Sequence, residues 1–239
     1  MRSALLSQLA DRFGSDKGSL HGDRHRYAQL YELLLHEERN SLGKMIELGL
    51  ARGGPEDPQF GAIERQCDSP SLGMWVEYFP QAEIFGFDIS DFSHLERRHG
   101  RFRFCRGDCG READLIRLRE AAGRDVDLVI DDASHASFHQ QLALKTLFPC
   151  LRPGGLYVIE DLHWQPPHIE ASLPAVPRTY DWLKALQEGN GLTSLLWSAD
   201  DVRMLAGSVA SLLVLTDLQV PGSRYRNAIG VMRKRQASE

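Results

Sequence analysis

The chain has 239 residues, 42% hydrophobic and 26% charged, with a formal net charge of -5 at pH 7. That length suits one α/β domain with an embellishment, and the composition excludes disordered and fibrous classes. The acidic balance, with only the short basic clusters Arg97-Arg98 and Arg233 to Arg235, argues against a nucleic-acid-binding face. Cys67, Cys105, Cys109 and Cys150 match neither a zinc signature nor a Cys-x-x-Cys pair, so they read as free thiols. The first residues lack the apolar region of a signal peptide and no run approaches a membrane span, so a cytoplasmic protein with no membrane partner is expected.

Leu5 to Phe13 is a short predicted helix, followed by the polar loop Gly14-Ser15-Asp16-Lys17-Gly18-Ser19 with His21, His25 and Tyr27 just beyond. Tyr27, Leu30, Tyr31, Leu34 and Leu35 recur at helical spacing, which predicts an amphipathic helix to about Glu38. Residues 1–42 are therefore expected to form an N-terminal helical extension or cap, and residues 43–239 the main domain. Lys44 to Leu48 is the first predicted strand, and Gly49-Leu50-Ala51-Arg52-Gly53-Gly54 turns sharply after it. This turn fails the dinucleotide fingerprint Gly-x-Gly-x-x-Gly. From Pro55 to Pro70 there is no period, so a lid or subunit contact is expected. Helical spacing resumes over Ser71 to Phe79.

Further strands are predicted at Ala82 to Asp88, Phe102 to Asp108, Asp127 to Asp131 and, after the turn Leu151 to Gly155, at Leu156 to Ile159. Helices are predicted over Leu115 to Ala122, Phe138 to Phe148 and Tyr180 to Gln187, and a closing strand pair at Ser211 to Thr216 and Ala228 to Met232, joined through Pro221-Gly222-Ser223. This alternation predicts an α/β fold with a doubly wound, seven-stranded, mostly parallel sheet.

Two strand ends carry chemistry. Asp127-Leu-Val-Ile-Asp131 runs into Asp132-Ala133-Ser134-His135, and Leu156-Tyr-Val-Ile159 runs into Glu160-Asp161-Leu162-His163. If these strands are parallel neighbours, Asp131, Asp132, Glu160 and Asp161 meet at one carboxyl edge, the edge at which open α/β sheets bind ligands. So much negative charge needs a cation. Oxygen donors with no cysteine nearby suit Mg2+ or Mn2+ better than zinc. Asp88, closing the second strand, has the acceptors that ribose hydroxyls require.

The order Glu47-Leu48-Gly49, Asp88, Gly107-Asp108, Asp131-Asp132 and Pro153-Gly154-Gly155 on successive strands resembles the class I S-adenosylmethionine-dependent methyltransferases. Phe13 to Gly18, Ser71-Leu72-Gly73-Met74-Trp75, Asp131 to His135 and Gly154 to His163 more narrowly resemble the metal-dependent sugar O-methyltransferases of macrolide and aminocoumarin antibiotic biosynthesis. Gly73 stands where that family commonly has Arg.

The resemblance implies a Rossmann-like methyltransferase domain that moves methyl from S-adenosylmethionine to a hydroxyl of a glycoside or polyol acceptor. It implies Asp132, Glu160 and Asp161 as ligands of Mg2+ (or Mn2+), Asp132 and His135 as catalytic residues with His135 the base, and His163 as the other candidate base. It implies Glu47 and Gly49 at the methionine end, Asp88 at the ribose, Asp108 at the adenine and Asp131 beneath the sulfonium, with Lys17, His21 and Tyr27 folding over the site. Residues 163–200 would shape the acceptor pocket, and a homo-oligomer is compatible with this. The competing readings are a phenol or catechol O-methyltransferase, a nicotinamide-dependent dehydrogenase, and a non-catalytic S-adenosylmethionine-binding partner.

Overall fold

A computed structural model of the chain describes residues 5–53, 67–216 and 227–236. Two expectations, the role of Pro55 to Pro70 over all but its last residues and the Pro221-Gly222-Ser223 turn, lie outside the described residues. Among the described residues, β1 (Lys44–Leu48), β2 (Glu83–Asp88), β3 (Phe102–Arg106), β4 (Val126–Asp131), β5 (Leu151–Ile159), β6 (Val209–Thr216) and β7 (Ala228–Lys234) form one seven-stranded sheet in the order β3-β2-β1-β4-β5-β7-β6. The first five are parallel, and β7 lies antiparallel between β5 and β6. The predicted fold class is the one observed.

Alternation along the strands divides the core. Val129 of β4 faces one apolar cluster and Leu128 and Ile130 the other, while β5 sends Tyr157 and Ile159 one way and Leu156 and Val158 the other. The first face is covered by α5 (Glu112–Ala122), α6 (Ser137–Leu147), α8 (Thr179–Gln187) and α9 (Ala199–Ser208). The second is covered by α1 (Leu6–Phe13), α2 (Tyr27–Leu35) and α3 (Pro70–Tyr78). Residues 5–42 thus fill one side of the central core: Leu6, Leu9, Tyr27 and Tyr31 share an apolar cluster with Met45 and Trp75. Gly73 allows this packing, because a Cβ there would lie 2.6 Å from the Phe13 ring.

Local differences from the sequence expectations have physical causes. Short α4 (Leu95–Arg98) and α7 (Pro167–Glu170) are too brief to show a period, and α9 carries a helix signal in its cap rather than in its apolar spacing. The turn predicted at Leu151 to Gly155 lies inside β5 as an irregularity: Val126 pairs with Leu151, but Leu128 pairs with Leu156. Gly154 takes φ +79° there.

β1, β2 and β3 are laid down in one direction from the sheet centre, and β4 and β5 in the other. Gly49 and Asp132 follow the two central strands, at the point where the order reverses. Open parallel sheets bind their ligands in that crevice.

Candidate active site

A cavity of about 490 Å³ opens at this reversal point, with Lys17, Gly49, Asp132, His135, Asp161 and Trp164 among the residues lining it. The Asp132 amide donates to Leu48 O and the Glu160 amide to Asp131 O, each at 2.9 Å, so the sheet ladder carries the acids to one edge. Gly49 takes φ +82°, and a Cβ there would lie 2.7 Å from the Asp132 carbonyl carbon. Only glycine therefore lets the β1 turn pass beneath the β4 acid. His135 and Asp161 also take left-handed backbone, φ +59° and +53°. For residues with a Cβ such conformations cost energy and cluster at functional sites.

Among the described residues, one group could hold a metal ion: Asp132, His135 and Asp161 place one ligand atom each within 4.8 Å of one another. His135 Nδ1 is buried with no hydrogen-bond partner, and the ring meets Trp164 edge-on at 5.6 Å between centroids. Glu160 adjoins this group but is engaged elsewhere. Its Oε1 accepts from the Tyr31 hydroxyl at 2.5 Å, and its Oε2 accepts from Lys17 Nζ at 2.9 Å. Lys17 Nζ also donates to Asp132 Oδ2, and the Tyr27 hydroxyl donates to Asp161 Oδ1 at 2.7 Å.

Electrostatics follow from this burial. Desolvation pushes Glu160 well above the usual carboxylate range, with repulsion from Asp132 adding to it, and desolvation raises Asp132 despite Lys17. Asp161 goes the other way: burial opposes its charge, but His25, His135 and the Tyr27 hydroxyl outweigh that and hold it below its ordinary value. Burial likewise opposes the charge on Lys17, yet Asp132 and Glu160 keep its pKa well above the ordinary lysine value. His163 is lowered by burial, and its Nδ1 stands 4.0 Å from Asp161.

Of the residues expected to hold a cofactor, two stand on the cavity wall, Gly49 and Lys17. Glu47 is buried behind the wall, accepting from Trp75 Nε1 at 2.9 Å while its Oε2 has no partner, and burial pushes it up to about 7. Asp88 ends β2 and is oriented by the amides of Leu50 at 2.9 Å and Ser90 at 2.7 Å. Asp108 follows β3 and is held by the Gly110 amide at 2.8 Å. Asp131 is buried with Oδ2 unpartnered, and desolvation pushes it up to about 7. It faces the Tyr157 side of the sheet, away from the cavity lining.

Tyr27 and Lys17, expected over the cofactor, lie directly on the acids. Two further residues stand at the site: Tyr31, whose helical spacing fits core packing and a place beside a ligand equally, and His25, which carried no functional expectation. Tyr31 follows Tyr27 by one helical turn, a spacing that turns both hydroxyls toward the same edge. His25 rather than exposed His21 turns inward, where it stacks on Tyr27 at 5.1 Å and lies 3.6 Å from Asp161.

No protein-family model matches the chain. It is 36% identical over 161 residues to mycinamicin VI 2''-O-methyltransferase of Micromonospora griseorubida, a span that is 67% of this chain and 37% of that protein. It is 40% identical over 157 residues to 8-demethyl-8-alpha-L-rhamnosyl tetracenomycin-C 2'-O-methyltransferase of Streptomyces olivaceus, covering 66% of this chain and 37% of the relative. The chain thus matches little more than a third of the length of these relatives. In three dimensions it superposes on the MycE methyltransferase of the mycinamycin biosynthetic pathway, in complex with Mg and SAH, with a TM-score of 0.68 and 26% identity, covering 98% of this chain and 56% of that one. The same protein with Mg, SAH and mycinamycin VI gives a TM-score of 0.66 at 27% identity, with 98% and 56% covered. By sequence over two thirds of its length and by fold over nearly all of it, the chain is a relative of the sugar O-methyltransferases of macrolide and tetracenomycin biosynthesis, as its motifs led one to expect.

Proposed function

We propose that this chain transfers a methyl group from S-adenosylmethionine to a hydroxyl of a sugar carried by a natural product, with the help of Mg2+ or Mn2+. The observation that carries the reading is the convergence of Asp132, His135 and Asp161 at the cavity edge, one ligand atom of each within 4.8 Å of the others. The donor set fits such a cation: two carboxylates, a third from Glu160 alongside, and no thiol in the group. Asp132, Glu160 and Asp161 would hold it, and when bound it makes a sugar hydroxyl easier to deprotonate.

His135 is the base in this reading. Its ring lines the cavity beside Asp132 and Asp161, and a positioned imidazole can take a proton from an acceptor hydroxyl. His163 is the alternative base. Trp164, 40% exposed on the cavity wall, offers an apolar surface on which a sugar ring can rest. Gly49 and Glu47 take the methionine end of the cofactor, Asp88 the ribose hydroxyls and Asp108 the adenine, while Asp131, turned from the cavity, backs the β4 tip from behind and Lys17 and Tyr27 hold the acids. The cavity volume is in the range of small-molecule sites. The relatives support the substrate class through their names, and MycE supports both small molecules through its complexes.

Isothermal titration with S-adenosylmethionine, in Mg2+ and in EDTA and with NAD as a control, tests the reading. Cofactor binding that persists in EDTA, with turnover of glycosides only when Mg2+ is restored, is the expected result. Binding of NAD in place of S-adenosylmethionine overturns it.

A further inference from the structure

Lys17 is 1% exposed and reaches the acids from a loop fixed at both ends. Gly14 closes α1 in left-handed backbone just before it, and the Lys17 carbonyl accepts from the Ala28 amide at 2.9 Å in the first turn of α2. Its ammonium bridges two strands, donating to Asp132 Oδ2 after β4 and to Glu160 Oε2, at 2.9 Å, after β5. Glu160 is itself 1% exposed, and its other oxygen is taken by Tyr31. A buried carboxylate needs a positive partner, because removing one member of a buried ion pair leaves an uncompensated charge.

A lysine ammonium and a divalent cation ask for the same lone pairs and repel each other at such range. Resting on the metal-assisted reading above, we propose that Lys17 is a built-in competitor of the divalent cation: the two exchange on Asp132 and Glu160, and the cation turns Lys17 Nζ out into the cavity. Lys17 is in this sense a positioning residue. It ties the two strand ends together and would set how tightly that cation binds. Lys17 stands on the wall of the 490 Å³ cavity, which is the space its ammonium would enter.

The test is titration of Mn2+ into the 239-residue chain, as wild type, Lys17→Met and Lys17→Arg, with melting temperatures recorded in EDTA and in Mn2+. Lys17→Met keeps the aliphatic packing and removes the competing charge. It should bind Mn2+ on the order of tenfold more tightly or better, melt below wild type in EDTA, and gain more from Mn2+ than wild type does. Lys17→Arg, still cationic, should keep the wild-type affinity or weaken it. Equal or weaker Mn2+ binding by Lys17→Met overturns the competition.

If neither wild type nor Lys17→Met binds Mn2+, the metal-assisted reading itself fails. A second measurement needs no variant: reductive methylation of wild type followed by peptide mass mapping. Lys17 should be protected in EDTA and modified in Mg2+. Equal protection in both overturns the exchange even if Lys17→Met does not fold.

Discussion

His135 combines an unpartnered buried nitrogen with left-handed backbone at φ +59°. A variant meant to probe its chemistry must tolerate that conformation, and asparagine does so better than most residues. His135→Asn is expected to lower kcat by about a hundredfold to ten-thousandfold, the usual contribution of a general base, while S-adenosylmethionine affinity by titration stays unchanged. Unaltered kcat would move the base to His163. Asp131 gives a pH prediction. Its buried carboxyl is pushed up to about 7 by desolvation, partly offset by the Ala133 amide and aided by Asp132. Between about pH 4, its ordinary range, and pH 7 the folded chain keeps a proton that the unfolded chain has released. The contribution to stability is therefore full below about pH 4 and is lost as the pH rises through 7. Asp131→Asn cannot ionise, so it should flatten the fall in urea midpoint across that window. Glu47, also pushed to about 7 by burial, leaves the remaining slope; identical slopes in the two proteins would refute the assignment.

Among the elements, α9 shows how a helix can be specified by its cap. Its apolar spacing is weak, but Ser198 Oγ accepts from the Asp201 amide at 3.1 Å, and Asp201 Oδ2 reaches back to the Ser198 amide at 3.0 Å. That reciprocal pair satisfies two otherwise orphaned donors. Ser198→Ala is expected to cost about 1 kcal/mol in urea unfolding, and no change would mean that tertiary packing alone holds α9. The same Ser-x-x-Asp spacing stands in the sequence and was a usable signal. At β5, by contrast, Pro153-Gly154-Gly155 is a sound local turn signal that a neighbour overrides. Pairing with β4 at Leu151 and again at Leu156 keeps the strand in the sheet, and the extra residues become an irregularity.

For the whole molecule, residues 5–42 have two duties. They fill one face of the core, and they deliver Lys17, Tyr27 and Tyr31 to acids more than a hundred positions away in sequence. A chain starting at Gly43 is accordingly expected to lose cooperative unfolding by circular dichroism and to bind the dye ANS, because Met45, Trp75 and Ile84 lose their cover. A truncated chain that melts cooperatively would make this region a dispensable cap. Among the described residues no helix is long and apolar enough to cross a membrane.

Fold class and the acid edge were legible from order alone. Short apolar runs such as Leu128-Val129-Ile130, bounded by turn signals, read as buried strands, and Asp132, Glu160 and Asp161 stand at their ends. Gly49 was legible as a turn residue, though not as the one place where β1 can pass under the Asp132 backbone. What tertiary structure decided is which partner each acid takes. Periodicity places Tyr27 and Tyr31 on one helix face but cannot say that this face meets β5, and nothing local distinguishes His25 from His21. Lys17 reads as a polar loop residue until folding removes it from water. Contacts across such separations in the chain depend on how α1 and α2 dock on the sheet, and docking is a property of packed surfaces rather than of any local run of residues.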